Sequence, residues 1–140
     1  MIDAREYLQY FKVAESRIEL KIKQIRNLQD RLSSLSAPMD KEQVSHTRNV
    51  SIMADTIAVI VDMQKEIDQQ TSEIFKRKKE AFSLLDHIKP ENAEILIDRY
   101  FDAKSIPAIS QSLHVSKRQT QRRLSEAIQE FQIILNEKTA

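Results

Sequence analysis

The sequence predicts an all-α protein, a long antiparallel helical hairpin of coiled-coil character followed by a C-terminal helix-turn-helix domain. Three observations carry this expectation. Apolar residues recur at intervals of seven along two long stretches. The 140 residues contain no glycine, where average usage would supply about ten, so tight β-hairpins lack the residue that best accepts positive φ. Near the C-terminus, a short capped segment and a turn precede a basic amphipathic segment.

Residues 3 to about 36 read as one helix. Phe11, Ile18, Ile25 and Leu32 form one row, and Tyr7, Ala14, Leu28 and Leu35 a second, widened by Leu8 and Ile22. Lys21 interrupts the second row, where its stem can lie along the seam with the charge in water. Asp3 is a fitting N-cap, with Glu6 as its capping-box partner. The period lapses over Ser33–Ser51, which holds Pro38, several Ser and Thr, and His46, and is expected to contain a mobile turn. It resumes from about Ile52 to His87 through Met53, Ile60, Ile67, Ile74, Ala81 and Ile88, with Ile57, Val61, Phe75, Phe82 and Leu85 beside that row. Two such arms fold back most simply as a hairpin of about 50 Å. Its thin core calls for self-association or for docking of the C-terminal part.

Lys89-Pro90 marks a boundary, since the residue before proline avoids helical geometry while proline starts a helix well. This sets residues 1–88 as a hairpin for oligomerisation or partner binding and residues 89–140 as a separate domain. Three shorter patterns follow, at Glu91 to Asp102, Ser105 to Leu113 and Ser116 to about Asn136. The last presents Thr120, Leu124, Ala127, Phe131 and Ile134 on one face.

Within these, Ser105 caps a short helix with Pro107 in its first turn. Ile109 and Leu113 face inward, Ser110 allows close helix contact, His114-Val115 turns the chain, and Ser116 caps the next helix. That order is the spacing of a helix-turn-helix, whose second helix enters the major groove. Opposite the apolar face, Arg118, Arg122 and Ser125 project together, with Gln121 at their edge. Guanidinium and amide groups suit guanine and adenine edges respectively, which makes these four the candidate base readers. Ser116, Lys117, Gln119 and Arg123 lie towards the flanks and suit phosphate contacts. An ordinary amphipathic helix with a basic solvated face is the plainer explanation of such a run. The preceding capped helix and turn favour DNA.

On these residues, Ile95 to Phe131 resembles region 4 of the sigma-70 factors. The opening Asp3-Ala4-Arg5-Glu6-Tyr7-Leu8, the paired long helices and the C-terminal order Ile109, Leu113-His114-Val115-Ser116, Arg118-Gln119-Thr120 resemble small phage-encoded regulators of the RinA, ArpU and LtrC kind. Only about the last 45 residues are specific in motif. The resemblance implies a bacterial or prophage protein that activates late genes of a phage or mobile element. Two departures stand out. His114 occupies a turn position usually held by glycine, at some cost in left-handed geometry, and Arg123 replaces a residue that is apolar in many relatives. The other sigma regions are missing, so promoter melting is not expected.

Other readings of function are excluded or set aside. Without glycine there is no phosphate-binding loop or dinucleotide fingerprint, and without cysteine no disulfide, thiol nucleophile or thiolate metal site. His46, His87 and His114 lack ligand spacing, so no metal or other cofactor is expected. Carboxylate pairs such as Glu91 and Glu94 sit on exposed helix starts, and no serine has a base beside it, so no catalysis is expected. Lys76-Arg77-Lys78-Lys79 is a second basic cluster, read as a solvated face paired with Glu73 and Glu80 before it is read as a backbone contact. The balance of 22 basic and 21 acidic residues gives a net charge of +1 and names no partner. No apolar run reaches membrane-spanning length and no signal-peptide core is present, so a cytoplasmic protein with no membrane partner is expected.

The expected function is sequence-specific binding of double-stranded DNA by a transcriptional regulator that is a homodimer or higher homo-oligomer. RNA polymerase or a small regulatory protein are further candidate partners. A DNA-packaging recognition subunit of the small-terminase kind and a helical protein-interaction module remain open alternatives.

Overall fold

The structure is a computed structural model describing residues 2–36 and 46–139. Every element in the described residues is helical. They are α1 (Ala4–Ser36), α2 (His46–Leu85), α3 (Pro90–Leu96) continuing into one π-helical turn (Ile97–Phe101), α4 (Ile106–Leu113) and α5 (Lys117–Thr139). The expected turn around Pro38 lies outside the described residues. The second long helix starts at His46 rather than near Ile52, so His46 belongs to a helix and not to a loop. Residues 46–51 contain neither proline nor glycine, so nothing stops the helix from extending backwards once its apolar row is docked.

The helices form two compact units, one joining the residues up to Glu15 with those from Ile74 onward, the other running Ser16–Glu73. Helical continuity does break near Lys89-Pro90, with α2 ending at Leu85 and α3 beginning at Pro90. The first turns of α1 are core to the C-terminal helices.

In the first unit, Ala4, Leu8 and Phe11 fall on one face of α1 and are fully buried, as are Ala81 of α2, Leu96 of α3 and Phe131 and Leu135 of α5. Aromatic rings join these elements. Phe11 meets Phe101 with centroids 4.7 Å apart, Phe101 meets Phe82 at 5.1 Å, and Tyr7 meets Phe131 at 5.7 Å. Gln132 adds a polar tie: its Oε1 accepts from the Ala4 N–H at 2.7 Å and its Nε2 donates to the Ile2 carbonyl at 2.8 Å. Asp3 Oδ1 accepts from the Arg5 N–H at 2.8 Å, the expected cap.

The π-turn was not legible as such. Its Asp102 N–H donates to the Ile97 carbonyl at 2.9 Å, a bond to the fifth residue back. That wider turn lines up Ile95 with Tyr100 and Leu96 with Phe101, and all four are buried.

In the Ser16–Glu73 unit, Ile25 and Ile60 are buried and Lys21 bridges Glu66 at 3.1 Å. Lys21 keeps its place in the apolar row by ending on this carboxylate. The seam is narrower than the sequence suggested. Ile22, expected to widen the α1 stripe, is exposed, as are Ile57 and Val61 beside the α2 row. A single facing helix covers little more than the row itself, and positions about 100° round the helix stay in water. In the first unit Phe75 is exposed for the same reason, and Phe82 is exposed except where it meets Phe101.

The Tyr7 hydroxyl is buried with no hydrogen-bond partner. Burial and the Glu80 carboxylate push its pKa up to about 12, against the opposing pull of Arg77. Because the folded value lies above the ordinary 10, this group favours folding below pH 10, and that contribution is lost as pH rises towards 12. Replacing Tyr7 by Phe removes an unpartnered buried oxygen. Urea denaturation should find Tyr7→Phe at least as stable as the parent at pH 7, and less sensitive to alkali between pH 10 and 12.

Candidate nucleic-acid interface

The basic helix α5 is set by the loop and short helix before it. Lys104 Nζ reaches Asp98 Oδ1 at 3.3 Å, Arg99 Nη1 donates to the Lys104 carbonyl at 3.0 Å, and the Lys104 N–H donates to the Asp98 carbonyl at 2.9 Å. These bonds brace the loop after the π-turn, where Ala103 adopts φ 55°. Ser105 Oγ then accepts from the Ala108 N–H at 3.2 Å, capping α4, and Pro107 lies in its first turn. Ser110 is buried, and its hydroxyl donates to the Pro107 carbonyl at 2.8 Å.

The helix closes on His114, at φ 56° and ψ 40°. Its N–H reaches the Gln111 carbonyl at 3.2 Å, and the Val115 N–H reaches the Ser110 carbonyl at 3.1 Å. This pair of bonds is a Schellman closure, which normally employs glycine at the left-handed residue. Ser116 starts α5 with its Oγ accepting from the Gln119 N–H at 3.1 Å, while the Thr120 hydroxyl donates to the Ser116 carbonyl at 3.0 Å.

α5 packs on α3 and α4. Its inward side is Thr120, Ala127, Ile128, Phe131 and Leu135, all buried. Leu124 and Ile134, expected on that face, are half-buried, because the buried stripe drifts towards Ile128 and Leu135 along the helix. On the other side Arg118, Gln121 and Arg122 are exposed together, and Ser125 is half-buried at their C-terminal edge. Ser116, Lys117, Gln119 and Arg123 are also exposed, with the Ser116 oxygen engaged in its cap.

Arg123 stands apart from Arg118 and Arg122. It lines a cavity of about 210 Å³ with Lys89, Glu91, Glu94, Asp98 and Glu126, over a floor that includes Ile95 and Ile109. Two of the carboxylates that line this cavity, Glu91 and Glu94, come from α3, a neighbourhood that the sequence around residue 123 could not show.

The first turn of α5 has no acidic residue and carries Lys117 and Arg118. Cations at a helix N-terminus oppose the macrodipole, while an anion there is favoured. This end of α5 therefore suits phosphate better than an average helix start. The exposed His114, at the adjoining turn, belongs to the same surface.

The second basic cluster is partly occupied by packing. The Arg77 guanidinium lies 4.2 Å from the Tyr10 ring centroid and Lys78 pairs with Glu15, whereas Lys76 and Lys79 are exposed. Among the described residues no three His, Asp or Glu side chains are grouped to hold a metal ion, and no helix is long and apolar enough to cross a membrane.

A family described as a protein of unknown function, DUF1492, matches residues 31–132. That is well over half of the chain, which therefore belongs to this family. No curated protein and no solved structure matches it significantly.

A left-handed residue other than glycine costs about 1–2 kcal/mol, partly offset by the greater chain entropy glycine loses on folding. Ala103→Gly and His114→Gly should each stabilise the fold by about 0.5–1 kcal/mol in thermal denaturation.

Proposed function

We propose that this DUF1492 member is a sequence-specific reader of double-stranded DNA that regulates transcription. In this reading α4 and α5 form a helix-turn-helix, and α5 lies in the major groove. The observation that carries it is the two-sidedness of α5 after a capped turn: Thr120, Ala127 and Phe131 are buried while Arg118, Gln121 and Arg122 stand in solvent. Guanidinium groups match the O6 and N7 acceptors of guanine, and the Gln121 amide matches adenine. Lys117, Gln119 and the N-terminus of α5 suit the phosphates on either side.

The resemblance to sigma-70 region 4 and to the RinA, ArpU and LtrC regulators supports a role in activating phage or mobile-element genes. The rest of the long helices serves as an antiparallel hairpin. In the Ser16–Glu73 unit Lys21 meets Glu66, and Met63 shares a cavity wall with Leu28 and Arg31, so that positions rising along α1 face positions falling along α2.

Selection of bound fragments from random duplex DNA, followed by footprinting, tests the reading. A compact motif should emerge. Recovery of random sequence only, or titrations without salt dependence, would sink it. Arg118→Ala and Arg122→Ala should each cost about 1–3 kcal/mol on the selected site and leave non-specific binding much less affected. Lys117→Ala should weaken all duplexes alike and lower the salt slope by about 0.9. Fluorescence anisotropy at two salt concentrations measures both effects.

A further inference from the structure

We propose that the face of α2 carrying Val50, Ala54, Ile57 and Val61 is covered by the same face of a second copy of this chain, the two helices running antiparallel about a two-fold axis. The inference concerns the Ser16–Glu73 unit and stands independently of DNA binding.

These side chains are unusually bare. Val50, Ile57 and Val61 are 52%, 49% and 41% exposed, while Ile60 on the same helix is 7% exposed. From Val50 to Met63 the only polar residues are Ser51, Asp55, Thr56 and Asp62. A helix that is apolar around most of its circumference belongs in an interior. Here the row through Met53 and Ile60 is the side that is covered, and the row through Ile57 is not.

The spacing suits a second copy of the same helix. Val50, Ala54, Ile57 and Val61 follow steps of four, three and four, which is the spacing of a coiled-coil seam. The series reads the same in both directions. A two-fold axis between Ala54 and Ile57 therefore sets each Val50 against Val61 of the other copy, and each Ala54 against Ile57. Such a patch is its own complement, as an isologous interface requires.

Charge fixes the direction. No charged residue lies on this face between Val50 and Val61, so two identical faces meet without repulsion. Lys65 and Asp68 come next along it. Parallel pairing in register would set each against its own copy, whereas the antiparallel arrangement sets Lys65 opposite the first residue of α2, His46, and carries Asp68 past the start of that helix, so neither meets its like. The opposite side of α2 offers Ile52 and Val59, but Asp55 and Asp62 lie beside them and make that side a poor seam.

The test is sedimentation equilibrium on the full chain, with Val50→Lys and Val61→Glu made separately. The parent should dimerise in the micromolar range. Each variant buries a charge against an apolar partner and should dimerise at least tenfold more weakly, with unchanged helical circular dichroism because both sites are exposed in the single chain. An equimolar mixture of the two variants should recover dimer, because the introduced lysine of one copy faces the introduced glutamate of the other. These two positions lie about 16 Å apart along one helix and cannot pair within a chain. A monomeric parent, single variants that dimerise as the parent does, or a mixture that fails to recover would each overturn the proposal.

Discussion

The contacts of Tyr7 and Phe11 with Phe101 and Phe131 constrain most of what lies downstream. Two rings from the first turns of α1 touch the π-turn and the middle of α5, residues about 90 and 120 positions away. Large aromatic side chains gather contact area over long loops at modest entropic loss. Gln132 fixes the same neighbours in direction, since its amide satisfies one N–H and one carbonyl at the start of α1. The back of the basic helix is thus held partly by the N-terminal segment. A C-terminal piece beginning at Lys89 would expose Phe101 and Phe131 on the side that Tyr7, Phe11 and Phe82 cover.

Much of this was legible from local chemistry. Ser105, Ser116 and Asp3 cap helices as their side chains suggest, Pro107 lies in a first turn, and His114 takes the left-handed position that the turn demands. The outward direction of Arg118 and Arg122 followed from helical periodicity, because each lies nearly opposite Thr120. The division into units was not legible. The rows through Phe11 and Ile25, and through Ile60 and Ile74, are continuous along each long helix, and a seven-residue period does not say which neighbour covers a position. Residues beside the row, such as Ile22 and Phe75, carried the same ambiguity. Arg123 was hidden for another reason, since Glu91 and Glu94, which line the same cavity, are distant in sequence and come to it through the packing of α3 on α5.

Composition leaves its own mark. A chain without glycine must use other residues where φ is positive, and it does so at Ala103 and His114, on either side of α4. Both are supported by bonds that the flanking backbone makes: Lys104 to Asp98 at the first, Val115 to Ser110 at the second. Neither bond depends on the side chain of the strained residue. The surrounding structure, and not local preference, holds these two bends.

The π-turn at Ile97–Phe101 has a consequence for how this region tolerates changes in length. A π-turn is, in effect, an α-helix with one residue added. Removing that residue would leave a regular helix, and secondary-structure content would barely register the loss. Everything beyond it would keep its direction, because a four-residue turn would then span what the five-residue turn spans now. Tyr100 and Phe101 would stay in line with Ile95 and Leu96, four positions on instead of five, and α4 and α5 would keep their aim. The same loss in the middle of a regular helix would turn everything beyond it by about 100°, so this segment can give up a residue where its α-helical neighbours cannot.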